Sequence, residues 1–435
     1  MTSARDNETL TSVGPGTPMG ELMRRYWVPA ALSSEVTKDG DPLRLKLLCE
    51  DLIAFRDSSG RVGVMDHRCP HRCASLFFGR NEEGGIRCVY HGWKFDVDGN
   101  CTDMANVPPH QDFKHKVHAK AYRAEERAGL IWVYMGDQAR VPALPDLEVL
   151  QLDADAVGID VFQRECNWLQ ALEGDIDTSH VDFLHGGTRT VDDFPPDDPR
   201  RYGAIHRDPE YTIAETDWGT MYGAHRPADQ GRRYWRVAHF LFPFWTMTPA
   251  GVFDTYIHAR AWVPMDDHHT MGFGLSKKGS RLTAIGNAKQ GIALHVEERL
   301  PNTTDRFGRW RFAANARNDY RIDRAAQQSQ IYSGITGITL QDQAMTESMG
   351  EVVDRSLEHL APSDRMIAVT RRRLLFAAQA LQKDAVAPPG ADEPGVFHGA
   401  RGGYYLAPEN AEWQDFYKER LTSVRRQASS AAAAE

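Results

Sequence analysis

Between Arg68 and Asp96 the sequence RCPHRCASLFFGRNEEGGIRCVYHGWKFD carries three cysteines and two histidines. Four of them form two short knuckles, Cys69-Pro70-His71 and Cys88-Val89-Tyr90-His91, and each knuckle offers one thiolate and one imidazole to a single centre. A tetrahedral zinc shell is the first rival, since two Cys and two His can close one. Structural zinc knuckles, however, pair Cys with Cys and His with His, about two to four residues apart, whereas each knuckle here is mixed. A mixed pair suits a [2Fe–2S] cluster in which one iron keeps two thiolates and the other takes two imidazoles, because each loop then supplies one ligand to each iron. Cys73 has no partner at ligand spacing and is expected to be a small buried thiol.

A second constellation lies in EGDIDTSHVDFLH, where Asp177, His180 and His185 stand at D-x-x-H-x-x-x-x-H spacing. Two histidines and a carboxylate on one face of an octahedron make the facial triad of mononuclear Fe(II) oxygenases, whose vacant positions take O₂. Two such histidines are also ordinary helix residues. A one-electron donor elsewhere in the chain needs an acceptor, and that favours iron. Residues five apart on an α-helix are about 140° apart in azimuth, so both imidazoles reach one metal only if the helix is overwound or widened, and a π-type turn between them is expected. Asp342, in QDQAMTESMG, is the candidate third ligand; it starts a predicted helix, where the dipole favours a carboxylate and where Asp is equally a common N-cap.

These residues need a scaffold larger than one module, since 435 residues exceed the roughly 100 to 200 of a typical domain. Ten Trp, eighteen Phe and fourteen Tyr are ample for sizeable cores. Apolar runs such as LIWVYM are far too short to span a membrane, and the N-terminus shows no secretory h-region, so a cytoplasmic location is expected. Six cysteines do not make a disulfide framework, and a net charge of -9 argues against nucleic acid as a partner. The glycines of GPGTPMG depart from the dinucleotide spacing and no strand precedes them. From Leu43 to Val141 the pattern is short strands and turns, a small β-domain carrying both knuckles on loops. VPALPDLEVLQLDAD looks like a linker. Then CNWLQALEGDIDTSHVDFLH is expected as a helix, VDDFPPDDPRRYG as a surface loop, and Tyr211 to Leu275 as strands. The stretch from Lys277 to Asn302 is weakly periodic. AMTESMGEVVDRSLEHL and DRMIAVTRRRLLFAAQALQ are expected as helices, and QASSAAAAE as a frayed end.

CPHR followed by CVYHGWKFD resembles the Rieske fingerprint of ring-hydroxylating oxygenases, and the spacing of His180 and His185 resembles their mononuclear-iron motif. VGPGTPMGELMRRYWVP and QDQAMTESMGEVVDRSLEHLAPSD resemble stretches of the phthalate and phenoxybenzoate enzymes. Nearly the whole chain is thus similar to the oxygenase α-subunit of Rieske non-heme iron oxygenases, phthalate dioxygenase type. The resemblance implies an α+β fold. Residues 1–42 would be an extension packing on the catalytic domain, 43–145 the Rieske β-domain, 146–425 a catalytic domain with an antiparallel sheet covered by helices (a START-like helix-grip), and 426–435 a disordered tail.

It also implies a [2Fe–2S] cluster on Cys69, His71, Cys88 and His91, and mononuclear Fe2+ on His180, His185 and Asp342, with Glu347 and Asp354 ranked behind. Asp177 would bridge His180 to His91 of the partner subunit in a head-to-tail homotrimer or stacked pair of trimers. A separate flavin and [2Fe–2S] reductase would supply electrons from NAD(P)H, since no flavin or dinucleotide fingerprint is found in this chain. The implied reaction is hydroxylation by O₂, as cis-dihydroxylation, of an aromatic carboxylate such as a phthalate or benzoate. Monooxygenation, O-demethylation and diaryl-ether dioxygenation are alternatives within the family. A Rieske electron carrier, and a zinc-stabilised binding protein with a START-like pocket, are rivals outside it, separated by iron stoichiometry and by colour. A buried substrate carboxylate calls for an arginine fork, and Arg207 and Arg236 are the candidates, with Arg226 third; for any one of them a surface ion pair or snorkelling side chain is the competing role.

Overall fold

The computed structural model describes residues 2–279 and 297–432, so most of the weakly periodic stretch lies outside the described residues. Strands numbered along the chain form three antiparallel sheets. β1 (Trp27–Leu32), β2 (Leu43–Leu47), β3 (Glu50–Arg56), β4 (Val62–Asp66), β9 (Ala121–Arg127) and β10 (Leu130–Tyr134) make a six-stranded sheet in the order β1-β10-β9-β4-β3-β2. Between β4 and β9, β5 (Arg80–Glu82), β6 (Gly85–Arg87), β7 (Trp93–Phe95) and β8 (Cys101–Met104) build a four-stranded sheet in sequence order. Its apolar core joins Ile86, Trp93 and Phe95 to Ile53, Phe55 and Met65 of the larger sheet, and Cys69 and Cys88 sit within it.

The third sheet is eight-stranded: β11 (Val157–Arg164), β12 (Glu210–Thr216), β13 (Gly219–Ala228), β14 (Arg232–Leu241), β15 (Trp245–Met247), β16 (His258–Pro264) and β17 (Thr270–Lys277) run in the order β11-β17-β16-β15-β14-β13-β12, with β18 (Gly403–Pro408) beside β14. Period-2 alternation decides what each face of β14 meets. Trp235 and Val237 turn to a cluster with Trp413, Tyr417 and Leu421 of the final helix (Trp413–Ala432). Ala238 and Phe240, and so Arg236 between Trp235 and Val237, turn to the opposite face, where the main core and the cavity described below lie.

Three boundaries and the burial of one cysteine differ from the sequence expectation. Only the two short helices of the extension, Ala4–Thr11 and Pro18–Met23, pack on the helix Arg365–Asp384; Trp27–Leu32 pairs with β10, so the six-stranded sheet begins before residue 43. The helix Ile338–Ser348 stops at Gly350, whose φ of 94° is open to glycine, and does not continue through Leu360. The last helix reaches Ala432, so 426–432 is ordered as helix and 433–435 lies outside the described residues. Cys73 is exposed instead of buried, for a reason given by the knuckle geometry below.

Glu173 ties the extension to the helices Trp168–Asp175 and Arg365–Asp384. Its carboxylate accepts from Arg371 Nε at 2.6 Å and from Arg355 Nη2 at 3.1 Å, and Arg355 reaches Asn7 at 2.8 Å. Burial raises this carboxyl, but the two guanidiniums outweigh it and hold it below the ordinary range. A carboxylate whose folded value is depressed stabilises in full above its unfolded value of about 4.3 and loses that contribution as pH falls through the folded value. Glu173→Gln is therefore expected to cost about 3 to 5 kcal/mol near neutral pH, because the buried Arg355 loses its ion-pair partner and Arg371 keeps only Glu358. In urea titrations the gap between wild type and variant should narrow as pH falls through the acid range; a constant gap would contradict the ion-pair account.

Candidate metal centres and the adjoining cavity

The two cysteine–histidine knuckles are built alike. In the first, Cys69 N–H donates to Ala74 O at 2.8 Å and Cys73 N–H returns to Cys69 O at 2.9 Å; in the second, Cys88 N–H donates to Trp93 O at 2.8 Å and Gly92 N–H returns to Cys88 O at 2.9 Å. Cys73 and Gly92 thus hold the same place in each turn, four residues after the ligand-type cysteine, and both are left-handed, at φ 60° and 77°. Cys73 is a turn residue whose side chain the turn projects outward, which corrects the expectation of a buried thiol.

Cys69 and Cys88 are buried, at 1% and 3% exposure, while His71 and His91 are half-buried with ring centroids 4.5 Å apart. Trp93 stacks on His71 at 4.3 Å and is itself held by a 2.8 Å bond from its Nε1 to Asn106. Burial pushes the Cys69 thiol up to about 12, and burial together with His91 lowers His71. His91 Nδ1 is buried without a hydrogen-bond partner. Two adjoining imidazoles, one with a buried nitrogen left without a partner, beside two buried cysteines fit a cluster with one Cys-ligated and one His-ligated iron.

The second centre comes from two helix ends. The helix Trp168–Asp175 terminates before Asp177, because Asp177 Oδ1 accepts both the N–H and the Oγ–H of Ser179 at 2.7 Å, a local turn that competes with helix. His180–Asp182 then forms a single 3₁₀ turn in which His180 O accepts from Phe183 at 3.0 Å and Leu184 at 2.7 Å. The expected continuous helix over 166–185 is therefore broken, and the anticipated departure from regular helix takes the overwound form instead of a π-type turn. Asp342 stands one turn inside Ile338–Ser348, whose N-cap is Gly337, so it is not the cap that its predicted position suggested.

These elements bring together one atom each from His180, His185 and Asp342, all within 4.8 Å of one another. The Nε2 atoms of the histidines are 3.2 Å apart, and Asp342 Oδ1 is 3.1 Å from His185 Nε2 and 3.6 Å from His180 Nε2. Ligands at right angles and about 2.1 Å from one ion would be about 3 Å apart. The far side of each ring fixes its tautomer. His185 Nδ1 is 2.7 Å from Gln341 Oε1, and the Gln341 amide is oriented by its Nε2 donating to Ile335 O at 2.7 Å, so His185 must donate from Nδ1. His180 Nδ1 faces Asp177 Oδ2 at 3.3 Å. Both Nε2 lone pairs therefore point at each other and at a carboxylate, a donor set that a divalent cation satisfies. Burial raises the Asp342 carboxyl, but His185 and His180 outweigh it and hold it well below the ordinary range; burial lowers His180, and Asp177 and Asp342 raise it above its usual value. Glu347 accepts from Glu165 N–H at 2.9 Å and Tyr320 at 2.7 Å, and Asp354 caps a 3₁₀ turn, so neither joins the set.

The triad forms one wall of a cavity of about 100 Å³. Pro249, Ala250 and Ile338 supply apolar surface, and Arg164, Arg236 and Arg260 line it as well. Arg260 is paired with Asp175 at 2.7 Å, and Arg164 donates to Thr346 at 2.7 Å while lying 4.8 Å over Trp262. Arg236 is 9% exposed, its Nε is buried with no partner, and it has no ion pair among the described residues. Arg207 is not on this wall: it donates to the carbonyls of Gly187, at 3.2 Å, and Arg189, at 3.0 Å. Arg226 is buried against Asp182. Sequence reasoning missed Arg164, Arg260 and Gln341. The first two alternate with aromatic residues on β11 and β16, a signal readable only once those strands are known to flank the cavity.

Residues 26–119 match the Rieske [2Fe-2S] domain family, and residues 133–428 match the LigXa C-terminal domain like family. The chain is 49% identical over 433 residues to the 3-chlorobenzoate-3,4-dioxygenase oxygenase subunit of Comamonas testosteroni, covering 98% of this chain and 100% of the relative. It is 34% identical over 435 residues to the phthalate 4,5-dioxygenase oxygenase subunit of Pseudomonas putida, covering 96% and 95%. Phenoxybenzoate dioxygenase subunit alpha of Ectopseudomonas oleovorans is 31% identical over 408 residues, covering 89% and 87%. The crystal structure of dicamba monooxygenase bound to dicamba superposes with a TM-score of 0.56 at 18% identity, over 83% of this chain and 99% of that one, which shows a common fold.

If Gln341 fixes the His185 tautomer, Gln341→Leu should weaken Fe(II) retention by about 10- to 100-fold while the visible absorption of the [2Fe–2S] cluster stays at wild-type intensity. Iron per chain after dialysis against a graded chelator reads this directly. Unchanged retention would remove Gln341 from that role.

Proposed function

This chain belongs to the Rieske non-heme iron oxygenases, as an oxygenase subunit with a [2Fe–2S] cluster and a mononuclear iron, and from that premise we propose that it cis-dihydroxylates an aromatic carboxylate of the benzoate or phthalate class. When bound, the cluster delivers electrons one at a time and the iron activates O₂. The observation that carries the substrate class is Arg236, a buried guanidinium without a protein counter-charge, set beside the triad on one cavity wall. A carboxylate pairs with such a fork bidentately, and its desolvation is then offset. In the dihydroxylation both atoms of O₂ enter the ring, and two electrons with two protons complete the dihydrodiol.

On this reading Cys69, His71, Cys88 and His91 hold the cluster, and His180, His185 and Asp342 hold the iron. Asp177 orients His180 through its Oδ2 and links it to His91 of the partner subunit in a homotrimer or a stacked pair of trimers. Tyr90 and Val89, beside His91, are 55% and 57% exposed in the single chain, which suits a knuckle that meets another surface. Electrons come from a separate reductase, of the flavin and [2Fe–2S] type fed by NAD(P)H. An electron carrier without catalysis, or a zinc-stabilised binding protein, accounts for neither the triad nor the family match over residues 133–428. Among the described residues no helix is long and apolar enough to cross a membrane.

The test is product analysis under ¹⁸O₂ with reductase and a panel of 3-chlorobenzoate, phthalate, phenoxybenzoate and a methoxybenzoate. Dihydrodiols labelled in both hydroxyls support the proposal; formaldehyde from the methoxybenzoate alone would make the chain an O-demethylase instead. Arg236→Gln should raise KM for the carboxylate by about 30-fold or more, at unchanged cluster absorption. Asp177→Asn with both metals in place should lower turnover and single-turnover product formation in pre-reduced enzyme alike, because one electron must still cross from the cluster to the iron. Undiminished turnover would refute the bridge.

A further inference from the structure

Behind Arg236 lies a second recess of about 20 Å³, lined by Arg189, Arg200 and Arg236 together with Asp182 and Gly186. Its charges are unevenly compensated. Arg200 is paired with Asp198, and Asp182 is taken up by the buried Arg226. Arg189 has no ion pair among the described residues and its Nε is buried without a partner, as is that of Arg236. Two features hold Arg189 there. Its guanidinium lies against Gly186, where a Cβ would stand 2.3 Å from Nη2, so a larger residue would displace it. Arg207 donates to Gly187 O and Arg189 O, which pins the segment that follows His185. Burial pulls Arg189 down to about 10, with Asp182 opposing and Arg236 adding, so both guanidiniums are charged at neutral pH.

We propose that Arg189 and Arg236 together form the subsite for the substrate carboxylate, with the ring held in the main cavity beside His180, His185 and Asp342. The inference rests on the reading of the substrate as an aromatic carboxylate and adds a second fork to it. Arg236 faces both spaces, so a carboxylate placed at its guanidinium is also presented to Arg189, and its charge is the one that the recess lacks. Arg207 then acts at one remove, by positioning the segment that carries Arg189.

Benzoate and benzamide binding to the anaerobic iron-loaded holoenzyme, measured by calorimetry, tests this in R189Q, R189K and R236Q, with iron content and cluster absorption as the check on folding. R189Q and R236Q should each weaken benzoate by about 30-fold or more and leave benzamide within about twofold. R189K should recover part of the loss, since lysine keeps the charge without the fork. Wild-type benzoate affinity in R189Q beside a loss in R236Q would overturn the role of Arg189 and leave the carboxylate reading standing. Equal weakening of benzoate and benzamide in R189Q would also overturn it, as a merely structural effect. Wild-type enzyme that binds benzamide as tightly as benzoate would sink the carboxylate reading itself. Should R189Q lose iron, R189K carries the comparison: wild-type benzoate affinity with a charged but unforked side chain would show that fork geometry is not used, and overturn the subsite as described.

Discussion

Two imidazole lone pairs facing each other across 3.2 Å, with a carboxylate oxygen 3.1 Å from one of them, repel unless a cation stands between. Much of the catalytic domain serves to hold that arrangement. Gln341 and Asp177 take the opposite nitrogens and so forbid the tautomers that would relieve the repulsion by a direct hydrogen bond. Gln341 is in turn fixed by Ile335 O, and Asp177 by Ser179. Each residue of the triad therefore sits on an irregular backbone segment or one turn inside a helix, where its orientation is set by side-chain bonds more than by helix geometry. The cost of assembling such a set is met when metal binds, which couples binding to local folding.

The same cavity shows how charge is apportioned away from the metal. Asp175 is fully engaged by Thr246, Arg260 and Trp262, and Arg164 donates to Thr346 and lies over the face of Trp262 while its Nε stays without a partner. Among the described residues Arg164, Arg189 and Arg236 have no ion pair, and each leaves a buried Nε without a partner. Buried cations are ordinarily paired, and on the proposed reading a substrate carboxylate completes Arg189 and Arg236.

What the sequence could say depended on how local the cause was. The knuckles could be picked out because the Cys and the His of each lie within four residues, and the strands and the long helix Arg365–Asp384 because their periodicity is sustained. Cys73 was misread because its burial depends on a left-handed turn that only comparison with Gly92 in the second knuckle reveals. The helix through His185 was misread because Asp177 competes for the backbone at a distance of two residues, an effect that propensity does not weigh. Arg207 and Arg236 were indistinguishable as residue types; only the sheet's alternation and the carbonyls of Gly187 and Arg189 separate them. Leu48 and Cys49 are a further case. They form the two-residue β2–β3 turn with φ of 47° and 68°, positions that favour Asn and Gly, and the turn is held by Leu48 N–H and Cys49 N–H donating to Pro264 O and Met265 O at 3.0 and 2.9 Å.

That strained turn bears on how the chain works, because it is one of several ties between the two domains. Trp132 of β10 stacks on Trp245 of β15 at 5.7 Å, Arg44 donates to Thr304 O at 2.7 Å, and Arg309 pairs with Glu35 at 2.7 Å. An interface that is apolar at its centre and bonded at its rim resists the relative motion that a small polar one permits. The distance from the cysteine knuckles to the histidine triad within one chain is thereby fixed by packing. Any response of the metal centre to an arriving substrate must then be local. The segment best placed to give it is 176–189, which carries Asp177, His180, His185 and Arg189, leaves regular helix at Asp175, and is held by side-chain bonds of Asp177, Gln341, Arg207, Thr188 and Arg226 in place of a sheet or a helix ladder. A carboxylate drawn to Arg189 would pull on the same short segment that presents both histidines.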